Sequence, residues 1–297
     1  MTACTRRAFL RGAGAAAAGL PLLGARPSVL RRGRRIRKAL GLGMVQAEGS
    51  LEEKFRLLRE IGFEGVELDR PSALDARGIL SAMKATGLRV AGVVDSLHWR
   101  KPLSHPDPAV RREGREGLEA ALRDCKRFGG TSVLLVPGVV NAEVAYDQAW
   151  RRSQAEIRKV LPLAEELEVP IAVENVWNQF LLSPLEAARY VDSFESEWIG
   201  WHFDIGNVVN YGWPEQWIRI LGRRILKLHV KDFSRKKRND EGLWKGFQVK
   251  LGEGDADWPA VRRALDEIGY DGWASAEVAG GGRDRLLDVS QRMDRLL

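Results

Sequence analysis

Glu174, Asp204, His229 and Glu277 are the residues whose types and positions could do chemistry. Each falls near the C-terminal end of a short apolar run: Pro170 to Val176, Ile199 to Asn207, Ile225 to Asp232 and Trp273 to Val278. Side chains alternate along a strand, so in the run from Ile225 to Lys231 the polar Lys227, His229 and Lys231 share one face and the apolar residues share the other. The same parity groups Ala172 with Glu174, His202 with Asp204, and Ser275 with Glu277. Taking three carboxylates out of water together costs on the order of several kcal/mol apiece and raises their pKa values unless a cation sits among them. One divalent metal ion answers that demand. Three oxygen donors and one imidazole form a fairly hard set, which suits Mn²⁺, Mg²⁺ or Co²⁺ ahead of Zn²⁺. The competing reading pairs these acids with Lys227, Lys231 or Arg235. It accounts for one strand and leaves the other strands without a reason.

Four such strands need a scaffold that aims their ends at one point. From Ile36 onward, short apolar runs alternate with longer stretches of helical period, and this happens eight times. The other candidate strands are Ile36 to Val45, Phe63 to Asp69, Leu88 to Ser96 and Thr131 to Pro137. The pattern predicts a (β/α)8 TIM barrel over residues 39–297, with no chain left for a second domain. Ser50 to Glu53 reads as a capping box at the first helix, which Gly62 ends, while Gly87, Gly129 and Gly269 close others. The stretch from Lys231 to Lys250 lacks a period and reads as a loop over the catalytic end.

The segments Val173-Glu174-Asn175, His202-Phe203-Asp204-Ile205-Gly206-Asn207, Lys227-Leu228-His229-Val230-Lys231-Asp232, Leu251-Gly252-Glu253-Gly254-Asp255 and Ala276-Glu277 together resemble the xylose isomerase-like barrels of the sugar phosphate isomerase/epimerase group. The resemblance covers nearly the whole chain after the leader. It implies that Glu174, Asp204, His229 and Glu277 are metal ligands, that Glu174 and Glu277 are the catalytic acid/base pair, and that Arg235 binds substrate. Asn207 stands where the metal-dependent ketose epimerases usually carry a histidine. An asparagine there can hydrogen-bond a sugar hydroxyl but cannot donate a charged proton.

The activity implied is a metal-dependent sugar isomerase or epimerase that transfers a proton beside a carbonyl through an enediolate. If one glutamate removes a proton and the other returns it on the far face, the product is an epimer; transfer between adjacent carbons on one face gives an isomer. A dehydratase or lyase acting on a keto-sugar or cyclitol would use the same groups, and a sugar-binding barrel without catalysis would keep the fold. An apurinic endonuclease of the same superfamily would hold three metals with more histidines than the four present here. Trp177, Glu67 and His98 are further candidates for substrate contacts, although Glu67 also suits an ion pair and His98 an exposed loop. Asn178 and Trp99 neighbour these positions. His202 is expected deeper in the barrel, orienting a carboxylate. Gly280 to Gly282 could cradle a phosphate or act as a hinge.

The chain has 297 residues, 44% of them hydrophobic, and a formal charge of +7. Ten cations and no acid precede Ala39, so the remainder carries about −3 and offers no footprint for nucleic acid. Thr5-Arg6-Arg7-Ala8-Phe9-Leu10-Arg11, followed by an Ala- and Gly-rich stretch to Ala25, resembles a twin-arginine export signal. That predicts a periplasmic protein with residues 1–38 as signal and basic linker, a cytosolic protein with a basic N-terminus being the alternative. The stretch is too short for stable membrane insertion. Cys4 and Cys125 lie on either side of the expected cleavage and predict no internal disulfide. The expected partner is a small sugar or keto-sugar, and the resemblance adds a possible homodimer through helical faces.

Overall fold

The eight apolar runs pair in sequence order as parallel strands that close on themselves in a computed structural model, which describes residues 36–297. The strands are β1 (Arg37–Gly41), β2 (Gly65–Arg70), β3 (Arg89–Asp95), β4 (Val133–Leu135), β5 (Ile171–Glu174), β6 (Ile199–Asp204), β7 (Ile225–Val230) and β8 (Trp273–Ala276). The helices are α1 (Leu51–Glu60), α2 (Ala76–Thr86), α3 (Pro108–Phe128), α4 (Tyr146–Leu167), α5 (Pro184–Asp192), α6 (Ile205–Val209), α7 (Pro214–Leu221), α8 (Arg235–Glu241), α9 (Trp258–Glu267) and α10 (Arg283–Leu296). Closure comes from β8 pairing with β1, where Arg37 lies opposite Trp273 and Ala39 opposite Ser275.

Helix boundaries follow local chemistry. The Ser50 side chain accepts from the Glu53 backbone and Glu53 reaches back to Ser50, the reciprocal cap the sequence predicts. Gly87 and Gly129 end α2 and α3 in the left-handed conformation. The buried residues of α3 include Leu118, Ala121, Leu122 and Cys125, the spacing of one helical face against the sheet. Burying each leucine there contributes roughly 1.5–3 kcal/mol.

Inside the barrel, the N-terminal end is filled by Trp273 packed with Ala39 and Ala91. Gly65 makes room for it: a Cβ there would lie 2.7 Å from the indole. Among the described residues no helix is long and apolar enough to cross a membrane.

Two expectations change. The expected twin-arginine-type leader falls outside the described residues, but the linker expected up to Lys38 ends earlier because Arg37 and Lys38 belong to β1. Their long side chains find partners at the base of the barrel: Arg37 lies over the Trp273 ring at 4.9 Å, and Lys38 Nζ donates to Ser290 Oγ at 2.8 Å and pairs with Asp294 at 2.7 Å. The stretch from Lys231 to Lys250 is not all loop. It holds α8, opened by Ser234 accepting from the Lys237 N–H, and a short 3-10 turn from Leu243 to Phe247. An all-polar helix carries no apolar period, so periodicity could not reveal it.

Candidate metal centre

The strand register brings the four inward residues together. Glu174 lies opposite His202, and Asp204 opposite His229. Glu277 follows directly after β8, held by its N–H donating to the Val230 carbonyl at 3.1 Å. One donor atom from each of Glu174, Asp204, His229 and Glu277 lies within 4.8 Å of the others. His229 Nδ1 is 2.8 Å from Glu174 Oε1, 3.3 Å from Glu277 Oε2 and 3.9 Å from Asp204 Oδ2. Asp204 divides its oxygens between two tasks. Oδ1 accepts from the Asn207 N–H at 2.6 Å and caps α6, which leaves Oδ2 facing the centre, buried and without a hydrogen-bond partner.

The electrostatics show what such a cluster needs. Burial raises the Asp204 carboxyl to about 7 and pushes Glu174 up as well. Burial disfavours an imidazolium at His229, yet the Glu277, Glu67 and Glu174 carboxylates hold its pKa well above the usual value. Burial also works against the Glu277 carboxylate, but His229 and Lys231 hold it well below its usual range. Lys231 Nζ lies 3.1 Å from Asp204 Oδ2 and 2.5 Å from Glu277 Oε2. Asp204 Oδ2, which has the Lys231 ammonium beside it but no hydrogen-bond partner, and the hard donor set fit a divalent ion held by these four residues.

A second layer fixes the imidazole. Glu67 Oε2 lies 2.9 Å from His229 Nε2 and accepts its proton; with an ion bound, that contact would leave the Nδ1 lone pair for the centre. Glu67 is held in turn by Lys227 Nζ at 3.2 Å, which also donates to the Ala91 carbonyl at 2.8 Å. Burial opposes a charge on Glu67, but Lys227 and His229 hold its carboxyl far below the usual range. Gly92 is required by this arrangement, because a Cβ there would lie 2.0 Å from Lys227 Nζ. Above the centre opens a cavity of about 510 Å³ whose lining includes Glu67, His98, Trp177, Asn207, Glu174 and Glu277.

The sequence profile of the xylose isomerase-like TIM barrel matches residues 55–296. The chain belongs to that family. Over 232 residues it is 28% identical to the L-ribulose-5-phosphate 3-epimerase UlaE of Escherichia coli O1:K1, covering 74% of this chain and 79% of that protein. A solved structure of L-ribulose 3-epimerase superposes with a TM-score of 0.72 at 20% identity, covering 88% of this chain and 94% of that one. The IOLI protein, solved with a bound zinc atom, superposes with a TM-score of 0.71 at 16% identity over 88% of this chain and 98% of its own.

Within this xylose isomerase-like barrel the remaining candidates separate. His98 is buried, not exposed: its Nδ1 accepts from the Val136 N–H at 3.2 Å, and burial depresses its pKa to about 3, so it presents a neutral ring to the cavity. Asn207 lines the cavity, but its amide donates to the Asn175 carbonyl at 2.9 Å and its Oδ1 faces Lys231 Nζ at 3.4 Å. Trp177 lines it too, tied by Nε1 to the Asn207 carbonyl at 2.9 Å. Glu67 reaches the cavity but spends its oxygens on Lys227 and His229 rather than standing free for a sugar hydroxyl.

Arg235 is not brought to the cavity. Its guanidinium donates to the Val209 and Gly212 carbonyls at 2.9 and 3.0 Å, closing the turn after α6. His202 orients no carboxylate: both ring nitrogens lack partners, and the ring packs edge-on against His229 with centroids 4.0 Å apart. Asn178 holds a turn by donating to the Gly138 carbonyl at 2.6 Å. Sequence reasoning missed Asp232, which accepts from the N–H groups of Phe233, Gly252, Gly254 and Ala256 and from Trp258 Nε1. It clamps the Leu251 to Asp255 segment onto the barrel rim. Gly254 permits the clamp, since a Cβ there would lie 2.1 Å from Asp232 Oδ1.

Proposed function

We propose that the protein is a divalent-metal-dependent sugar epimerase or isomerase. The observation that carries this reading is the convergence of Glu174, Asp204, Glu277 and His229 Nδ1 within 4.8 Å of one another below an open cavity. The epimerase names of UlaE and the L-ribulose 3-epimerase support it. Glu174, Asp204, His229 and Glu277 would hold the ion, which when bound polarises a carbonyl and a neighbouring hydroxyl and lowers the cost of an enediolate. Glu174 ends β5 and Glu277 follows β8, three strands apart, so the two carboxylates reach a bound sugar from different sides. One takes the proton from the carbon beside the carbonyl, and return of a proton by the other inverts that carbon. Asp204 and His229 keep fixed positions through the α6 cap and Glu67. The Arg6-Arg7 leader supports a periplasmic location.

Lys231 favours a second reading, a barrel whose acids are neutralised by the ammonium and which binds sugar without turning it over. Elemental mass spectrometry on the purified protein, alongside Asp204→Ala, separates the two. About one divalent ion per chain, lost in the variant, together with solvent deuterium entering a ketose, supports the enzyme. No ion after reconstitution overturns it. The same measurement names the metal, where the donor chemistry favours Mn²⁺, Mg²⁺ or Co²⁺ and the IOLI structure holds zinc.

A further inference from the structure

The cavity is built for something larger and less charged than a sugar phosphate. At about 510 Å³ it exceeds what one sugar ring fills. Among the described residues no arginine lines it, and its lysine, Lys231, is already matched by Asp204 and Glu277. The other ionisable lining is the imidazoles and the acids Glu67, Asp69, Glu174 and Glu277, so away from the ion's own ligands it offers a phosphate no free cation. The Gly280 to Gly282 run does not compensate. Gly281 donates its N–H to the Met44 carbonyl and accepts from the Gln46 N–H, both at 3.0 Å, so it is committed to the β1 end rather than open as a phosphate cradle.

Aromatic rings stand at the opening instead. Trp99, in the loop after β3, is 52% exposed, and Trp244, in the 3-10 turn after α8, is 67% exposed, yet both line the cavity. Strands β3 and β7 are four apart in a closed barrel of eight, so the two loops rise from opposite sides of the mouth. Each ring rests on a cavity residue: Trp244 lies 5.0 Å from Trp177, and Trp99 meets His98 edge-on at 5.2 Å. Large indole faces left in water at a site entrance are ready to receive a flat, partly apolar surface.

We infer that the substrate is an uncharged glycoside, with the reacting sugar at the four donor residues and its second ring held at the mouth by Trp99 and Trp244. This rests on the proton-transfer reading of the same site and names its substrate class. Sugar rings present C–H faces that pack on indoles, and an uncharged second ring needs no cation at the mouth.

The test is calorimetric titration of the metal-reconstituted full chain with three probes: D-fructose, D-fructose 6-phosphate and isomaltulose, a glucosyl-fructose with a free ketone. The expected result is isomaltulose binding about tenfold more tightly than either of the others, with that ratio falling toward one in Trp99→Ala and Trp244→Ala. Tighter binding of the phosphate would overturn the inference, as would equal or undetectable binding of all three, or a ratio that survives in both variants. Both tryptophans are exposed, so the variants keep the fold. Deuterium uptake beside the carbonyl, followed by NMR in the same samples, keeps the two readings apart. Its absence from every probe counts against proton transfer, while the binding ratio still decides the substrate class.

Discussion

Glu67 receives His229 Nε2 at 2.9 Å across the barrel from β2 to β7, on the ring nitrogen opposite the one that faces the metal centre. The contact fixes the ring plane and would keep the Nε2 proton in place when an ion is bound at Nδ1. Glu67→Gln keeps an acceptor but removes the charge that strengthens the imidazole as a donor, so metal affinity is expected to fall about 10- to 100-fold. A chelator-competition titration reads this directly. Unchanged affinity would mean that the strand backbone alone orients the ring.

Lys227 is the buried counter-charge to Glu67, and removing one partner of such a pair leaves the other stranded. Lys227→Met should cost roughly 3–5 kcal/mol in urea unfolding of the metal-free protein. Combining it with Glu67→Gln should recover part of that loss. Gly92→Ala is expected to behave like Lys227→Met, because the new methyl group would displace the ammonium. If the double variant is no more stable than Lys227→Met, the two residues are not coupled.

Asp95 and His98 make opposite contributions to the pH dependence of stability. Burial raises the Asp95 carboxyl from 3.8 to about 7, against a single Leu97 N–H that favours the charged form. The unfolded chain therefore releases this proton first, and the Asp95 contribution is present below about pH 4 and lost as pH rises toward 7. His98, lowered from 6.5 to about 3 by burial, runs the other way: the unfolded chain takes up a proton first, so stability falls as pH drops from 6.5 toward 3. Asp95→Asn should thus gain relative to the parent as pH rises from 4 to 7, by up to roughly 4 kcal/mol at about 1.4 kcal/mol per pKa unit. Urea unfolding of both proteins at pH 4 and pH 8 measures it. A pH-independent difference would show that Asp95 is ionised in the native state throughout.

Glu174→Gln and Glu277→Gln should each lower solvent-deuterium exchange into a bound ketose by about 10²–10⁴-fold. Bound metal must be measured on the same samples, because each glutamate also offers a ligand. A variant that keeps its ion and its exchange rate would remove that glutamate from the proton path.

The barrel was legible in the sequence because period-two alternation marks an inward face, and four consecutive strands put an ionisable residue on it. Alternation says nothing about partners reached across the interior. Glu67 and His229 are 162 positions apart, and only closure of the barrel shows that they meet. For the same reason parity alone suggests that His202 orients a carboxylate, whereas it packs against the His229 ring. The family resemblance puts Arg235 at the substrate, but a long side chain six residues past His229 can turn to either side, and here it closes the α6 turn. His98 looked exposed because it follows a strand in a polar loop. The turn from Ser96 to Arg100, in which the His98 N–H bonds to the Asp95 carbonyl, buries it edge-on against Trp99 instead.

The barrel seals where β8 pairs with β1, and the loop that leaves β8 begins with Glu277. Glu174, Asp204 and His229 lie on strands that pair in sequence order, whereas Glu277 reaches them only once β8 docks beside β7. An ion held by all four would fasten the last strand to its neighbours like a clasp across the seam. Metal occupancy would then report whether the sheet has closed.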